Sequence, residues 1–146
     1  MFKFLVFDGD QPAEAWPVRN AYLVGADGNA IRSDIHFEDG AIIVQKRETG
    51  AAGFTLQHQA GDIGELTVQT CLLPESDEPY ILTVELARHR LMLLYTKLEE
   101  WGMFDLEEDH PVTRRATVAR ELFIKALSLQ HAVSYTHLTL PTICSV

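Results

Sequence analysis

The hydrophobic period of the chain changes once, and that change limits the fold more than any other feature. Through residues 31–38 apolar and polar side chains alternate: Ile31, Ser33, Ile35 and Phe37 share one face, and Arg32, Asp34, His36 and Glu38 share the other. Period two marks a strand with one buried face. From Tyr80 to Trp101 the apolar residues recur instead at three- and four-residue spacing, as Leu82, Leu86, Met92, Leu93 or Leu94, Leu98 and Trp101, with Arg88, Arg90, Lys97 and Glu100 largely between them. That spacing predicts an amphipathic helix. Between the two regimes lie Pro74, the acidic group from Glu75 to Glu78, and Pro79, which suits a first helical turn capped by Ser76 or Asp77.

Upstream of the changeover every connection carries turn chemistry. The apolar run Phe2 to Phe7 ends at Asp8-Gly9, and Tyr22 to Val24 is separated from Ile31 to Phe37 by GADGN, whose Asp27-Gly28 supplies positive φ. Glu38-Asp39-Gly40 turns the chain into Ile42 to Lys46. TGAAG leads into Phe54, Leu56 and His58 on one parity, and Ala60 to Gly64 closes a hairpin into Leu66, Val68, Thr70 and Leu72. Short strands joined by Gly turns predict an antiparallel β-sandwich-like domain over residues 1–74. Residues 75–132 form a helical connector: the first helix stops at Gly102, and Pro111 opens a second whose stripe is Ala116, Ala119, Phe123, Ala126, Leu127 and Leu129. The fold class is mainly β followed by α, with a C-terminal helical pair.

The last residues do not belong to this pattern. Val133 to Thr142, VSYTHLTLPT, resembles one reading frame of the constant end of a transposase-type sequencing adapter, and Ile143, Cys144 and Ser145 then stand where a variable index would be translated. Residues 133–146 are accordingly set aside as a non-natural tail, and the parent protein is expected to continue beyond residue 132.

The remaining stretch of about 130 residues suits one domain, or a small domain with a helical appendage. Its net charge of -9 argues against nucleic acid and anionic membrane partners, both of which need a Lys/Arg footprint. With Cys144 in the tail, Cys71 is left alone, so no internal disulfide and no thiolate metal site is expected. The N-terminal apolar run is too short for a signal peptide and no run reaches membrane-spanning length, which makes the cytoplasm the default location.

No complete catalytic set is legible. Asp8-x-Asp10 after an apolar strand has the look of an aspartyl phosphotransferase motif, but that chemistry belongs to alternating strands and helices, and hairpins come next here. A solvated turn is the simpler reading. His36, His58, His89 and His110 are scattered without metal-ligand spacing. Glu99, Glu100, Asp105, Glu107, Glu108 and Asp109 lack the apolar surroundings that would raise a carboxyl pKa for acid/base work, and Gly25-x-x-Gly28 sits within a hairpin. No cofactor is implied. The aromatic residues of the β region remain, Trp16, Tyr22, Phe37 and Phe54: flanked by polar side chains such as Arg19, Asn20, Gln57 and Gln59, they could stack on the apolar face of a sugar ring, Trp16 or Tyr22 before the others, with core packing as the default.

The segments WPVRNAYLVGADGNAIRSDIHFEDGAIIVQKRETG, TVQTCLLPESDEPYILTVELARHRLMLLYTKLEEWGMFD and ARELFIKALSLQ resemble the N-terminal region of large bacterial, notably planctomycete, proteins classed with the family-ten glycoside hydrolases, the endo-1,4-β-xylanases. The resemblance implies an N-terminal β domain, a helical connector and then a (β/α)8 barrel carrying an acid/base and a nucleophilic glutamate. No catalytic residue of that barrel maps onto any position here. The partners it implies are the missing C-terminal catalytic domain, met by the stripe Ala119, Phe123 and Leu127, and a plant-type polysaccharide or oligosaccharide. A free-standing protein-interaction module without a glycan role is the alternative, and an Asp-dependent phosphotransferase a third. An exported polysaccharide hydrolase would also need a leader, which is not seen.

Overall fold

The structure is a computed structural model and describes residues 1–128; Leu129 and the tail at 133–146 lie outside the described residues. Ten strands precede two helices, in the order β1 (Phe2–Leu5), β2 (Phe7–Asp8), β3 (Gln11–Pro12), β4 (Arg19–Val24), β5 (Ala30–Ile31), β6 (Ser33–Glu38), β7 (Ala41–Lys46), β8 (Gly53–Gln59), β9 (Glu65–Gln69), β10 (Tyr80–Ile81), α1 (Leu82–Glu100) and α2 (Pro111–Ser128). One four-stranded sheet runs β10-β1-β7-β6 and a second runs β5-β4-β8-β9, while β2 and β3 form a separate hairpin. The fold is mainly β followed by α.

The turn residues set the registers. Asp39 and Gly40 have φ of 48° and 75° between the paired Glu38 and Ala41, the positive values that a tight two-residue hairpin of matching twist requires. Leu23 opposite Ile31 and Val24 opposite Ala30 close the hairpin over Asp27-Gly28. The period-two segment keeps its alternation, with Ile31, Ser33, Ile35 and Phe37 half-buried and Arg32, Asp34, His36 and Glu38 exposed. It breaks at Arg32, however: β5 belongs to one sheet and β6 to the other, so the chain turns a corner between layers.

Inward-facing residues of both sheets share one core. Phe2, Phe4, Ile42 and Val44 come from the first sheet and Leu23, Phe54, Leu56 and Val68 from the second. Phe4 stacks on Phe54 with ring centroids 4.9 Å apart and planes 19° from parallel, an offset arrangement that adds to the burial of both rings. Lys46 closes one end of this layer. Its side chain is 1% exposed and pairs with Glu75 at 3.4 Å; its Nζ donates to the Gly50 carbonyl and lies 5.5 Å from the centre of the Phe2 ring. The buried ammonium thus has a carboxylate, a carbonyl and an aromatic face around it.

Three local expectations are corrected. The segment expected to begin a helix near Pro79 first forms β10, which pairs in parallel with β1 through Phe4–Tyr80 and Leu5–Ile81, so the helix starts at Leu82. Leu72 is exposed and Leu73 buried, because the Ala52–Leu73 bridge is offset by one residue from the β8–β9 ladder, and an inserted residue inverts the facing of its successors in the chain. On α1, Met92, Leu93 and Trp101 are exposed, whereas Val84, Ala87 and Leu91 are buried. That helix has two covered faces: Leu82 and Leu86 enter the sandwich core, and Val84, Ala87 and Leu91 pack with Ala119 and Ala126 of α2. Gly102, in the left-handed conformation at φ 62°, ends α1.

Truncating the ring at the centre of the core has a defined cost. Phe54→Ala should lower unfolding stability by about 3–5 kcal/mol, measured as a fall in the urea midpoint at unchanged slope. Gly40→Ala should also destabilise, because an added Cβ would lie 2.8 Å from Cβ of Pro12 at a φ of +75°; a variant melting with the wild type would refute this.

Candidate functional site

Trp16 lies between the β2–β3 hairpin and β4, where Pro17 comes directly after it and limits its backbone to extended conformations. Its indole packs partly against the core and stacks on the His58 imidazole, with centroids 5.5 Å apart and planes at 15°. His58 has the same parity on β8 as the buried Phe54 and Leu56, so its ring sits where the inward face of the sheet reaches the end of the sandwich. Trp16, Pro17, Arg19, Gln57, His58, Gln59 and Glu65 line an open cleft of about 390 Å³. Its floor is aromatic and its rim polar.

The rim is ordered by cross-strand bonds. Arg19 donates to Glu65 at 3.0 Å, and the Asn20 side-chain amide donates to Gln57 at 2.8 Å. The second bond coincides with a shift of register between Arg19 and Tyr22, where β4 bulges and Asn20 takes a φ of 47°. Asparagine tolerates that conformation better than most residues. Of the four expected residues, Trp16 and Arg19 line the cleft, Asn20 orients its Gln57 wall, and Tyr22 stands outside the lining, 42% exposed. Gln57 and Gln59, expected as polar flanking residues, do line the cleft, whereas sequence reasoning misses His58 and Glu65 as their companions. For His58 a signal does exist, since it shares the parity of Phe54 and Leu56.

The stripe Ala119, Phe123 and Leu127, expected to meet a missing domain, lies against α1. Ala119 is buried within the cluster formed with α1, and Phe123 and Leu127 are half-buried against the same cluster. The small Ala side chains let the two helices approach, so Ala119 is covered within the chain while Phe123 and Leu127 keep part of their surface in solvent. Two large aromatic side chains are exposed at the α1–α2 connection, Trp101 at 67% and Phe104 at 58%.

The remaining candidates are dispersed. Asp8 and Asp10 stand exposed on the β2–β3 hairpin. His36 contacts Glu38 at 3.2 Å, and Nδ1 of His110 accepts from the Val112 N–H at the start of α2. His89 is buried on α1. Among the described residues no group of three His, Cys, Asp or Glu side chains is arranged to hold a metal ion, and no helix is long and apolar enough to cross a membrane. The acidic residues from Glu99 to Asp109 are all exposed. No family model, curated protein or solved structure matches this chain.

Burial holds the His58 imidazole below its ordinary pKa, and burial together with the neighbouring Arg90 charge does the same for His89. In the unfolded chain both would titrate near about 6.5, so just below that pH the unfolded state binds more protons. The neutral rings therefore contribute their full stability above about pH 6.5 and lose it as pH falls through the depressed folded values. The urea midpoint should drop between about pH 7.5 and 5.5, and His58→Gln should make that drop shallower. An unchanged slope in the variant would contradict the assignment to His58.

Proposed function

We propose that this chain is the N-terminal, non-catalytic part of a glycoside-hydrolase-like protein, and that its Trp16 cleft helps to hold a glycan. The observation that carries the glycan reading is the pairing of an aromatic plane with a hydrogen-bonding rim. Trp16, backed by His58, is bordered by Arg19, Gln57, Gln59 and Glu65. A pyranose has an apolar C–H face and a ring of equatorial hydroxyls, and such a surface answers both. Stacking provides the area, and the amides and charged groups provide the orientation. Because Arg19 is bonded to Glu65 and Gln57 to Asn20 before any ligand arrives, less side-chain entropy remains to be lost on binding.

The second part of the proposal, that the chain packs on a catalytic barrel, is supported by the exposed Trp101 and Phe104 at the α1–α2 connection. Large aromatic side chains left in solvent are enriched at surfaces that meet another protein unit. They join Phe123 and Leu127, which are only half-buried against α1, as the residues proposed for that contact. The parent activity proposed is endo-1,4-β-xylanase-like hydrolysis, carried out by residues outside this chain.

The test is a fluorescence titration with xylo-oligosaccharides in a Trp101→Phe background, where Trp16 is the only indole. A saturable change in emission is expected, absent in Trp16→Ala and weakened roughly tenfold by Gln57→Ala, within the range set by loss of a hydrogen-bonding partner and its neighbour's order. A flat titration with xylo-oligosaccharides, in a protein that still melts cooperatively, would remove the glycan reading.

A further inference from the structure

Each four-stranded sheet ends in two outer strands, and all but one of these are short or covered. β10 and β5 have two residues each, and β9 has α1 packed against it. β6 is the exception. It runs for six residues, Ser33–Glu38, pairs with β7 from end to end without a bulge, and contains no Pro, Gly or Lys. A long regular edge strand is a template for a further strand, and edges that are meant to stay free carry such interruptions. The β6–β7 hairpin fixes which backbone groups are open. Glu38 and Ala41 flank its two-residue turn and exchange both ladder bonds, so the next bonded pairs are His36 with Ile43 and Asp34 with Gln45. The N–H and C=O groups of Ser33, Ile35 and Phe37 therefore point away from β7, and among the described residues nothing hydrogen-bonds to them.

The side chains along this edge complement themselves when the strand is reversed. Read from Arg32, the exposed positions are Arg32, Asp34, His36 and Glu38, a cation at one end and a carboxylate at the other, with an acid and an imidazole between. The half-buried positions are Ser33, Ile35 and Phe37, small at one end and large at the other. His36 already contacts Glu38 at 3.2 Å along the strand. With a net charge of -9, two copies of the chain repel each other at most approaches, so a strip on which opposite charges meet selects one approach.

We propose that a second copy of this chain docks on β6, the two β6 strands pairing antiparallel about a twofold axis at Ile35, so that the sheets β10-β1-β7-β6 of both copies join into one. In that register Ile35 meets Ile35 of the second copy through a bonded pair, and Phe37 lies opposite Ser33, a large side chain beside a small one. On the exposed face Asp34 lies opposite His36 of the second copy and Glu38 opposite Arg32, each twice by symmetry. Charge fixes the register. Only offsets of an even number of residues keep the free groups of Ser33, Ile35 and Phe37 facing one another. A slide of two residues brings Asp34 opposite Asp34 in one direction and opposite Glu38 in the other, and like charges directly opposite destabilise a strand pair. The inference is independent of the glycan reading, because none of residues 32–38 lines the Trp16 cleft.

The experiment is sedimentation velocity of the whole chain over a wide range of concentration, with amide hydrogen exchange followed at both extremes. A reversible monomer–dimer equilibrium is expected, with exchange at Ser33, Ile35 and Phe37 slowed in the dimer. Arg32→Glu and Glu38→Lys, both at exposed positions, should each weaken the dimer roughly tenfold by placing like charges opposite one another at two symmetry-related points. The double variant Arg32→Glu/Glu38→Lys restores opposite charges at both points with the net charge unchanged, and should dimerise about as well as the wild type. That recovery separates a paired edge from a general effect of charge or folding. A chain that stays monomeric throughout, leaving the edge to a strand of another protein, would overturn the proposal. So would a dimer that forms without protecting those three amides, or a folded double variant as weak as the single ones.

Discussion

Phe4 lies against Phe54 across the two sheets, and the strand that carries Phe4 is flanked on both sides. β1 pairs with β7 in the antiparallel sense and with β10 in the parallel sense. A parallel partner cannot be reached by a tight turn. Here the whole sandwich is built between the two strands, and the chain returns to β1 only after Pro79. That return delivers Leu82 and Leu86 into the core already occupied by Phe2, Phe4 and Phe54. The helix pair is thereby attached through hydrogen bonds and apolar contact together, and the direction of α1 is set by the edge on which β10 lies.

Features encoded by neighbouring residues are legible directly in the sequence. Asp27-Gly28, Asp39-Gly40 and the turn over Ala60–Gly64 need only their own backbone preferences, and each closes a hairpin where those preferences point. The alternation from Ile31 to Glu38 likewise depends on one face being covered. Features that require a distant partner are not legible. Tyr80-Ile81 is a strand because β1 offers an open edge, and Leu73 replaces Leu72 in the core because of a bridge to Ala52. α1 covers two faces with different partners, so Val84, Ala87 and Leu91 fall outside any single stripe, while the apolar Met92, Leu93 and Trp101 remain in solvent.

The same division holds at the candidate site. An indole among polar residues stands out in the sequence, and Trp16 and Arg19 do share a cleft. The ring behind Trp16 comes from His58 on a later strand, and the order of the rim comes from Arg19–Glu65 and Asn20–Gln57 bonds across strands. Proximity in sequence groups Tyr22 with Trp16, but the bulge at Asn20 separates them.

The corner at Arg32 has a mechanical consequence. Because β5 and β6 are successive parts of one extended segment assigned to opposite layers, neither layer can slide past the other without bending the chain at that point. The sandwich is laced as well as glued. Amide protons in the centre of both layers, at Leu23, Val44 and Leu56, should therefore exchange through a single global opening rather than layer by layer, which is how a cooperative unit differs from two sheets that merely touch.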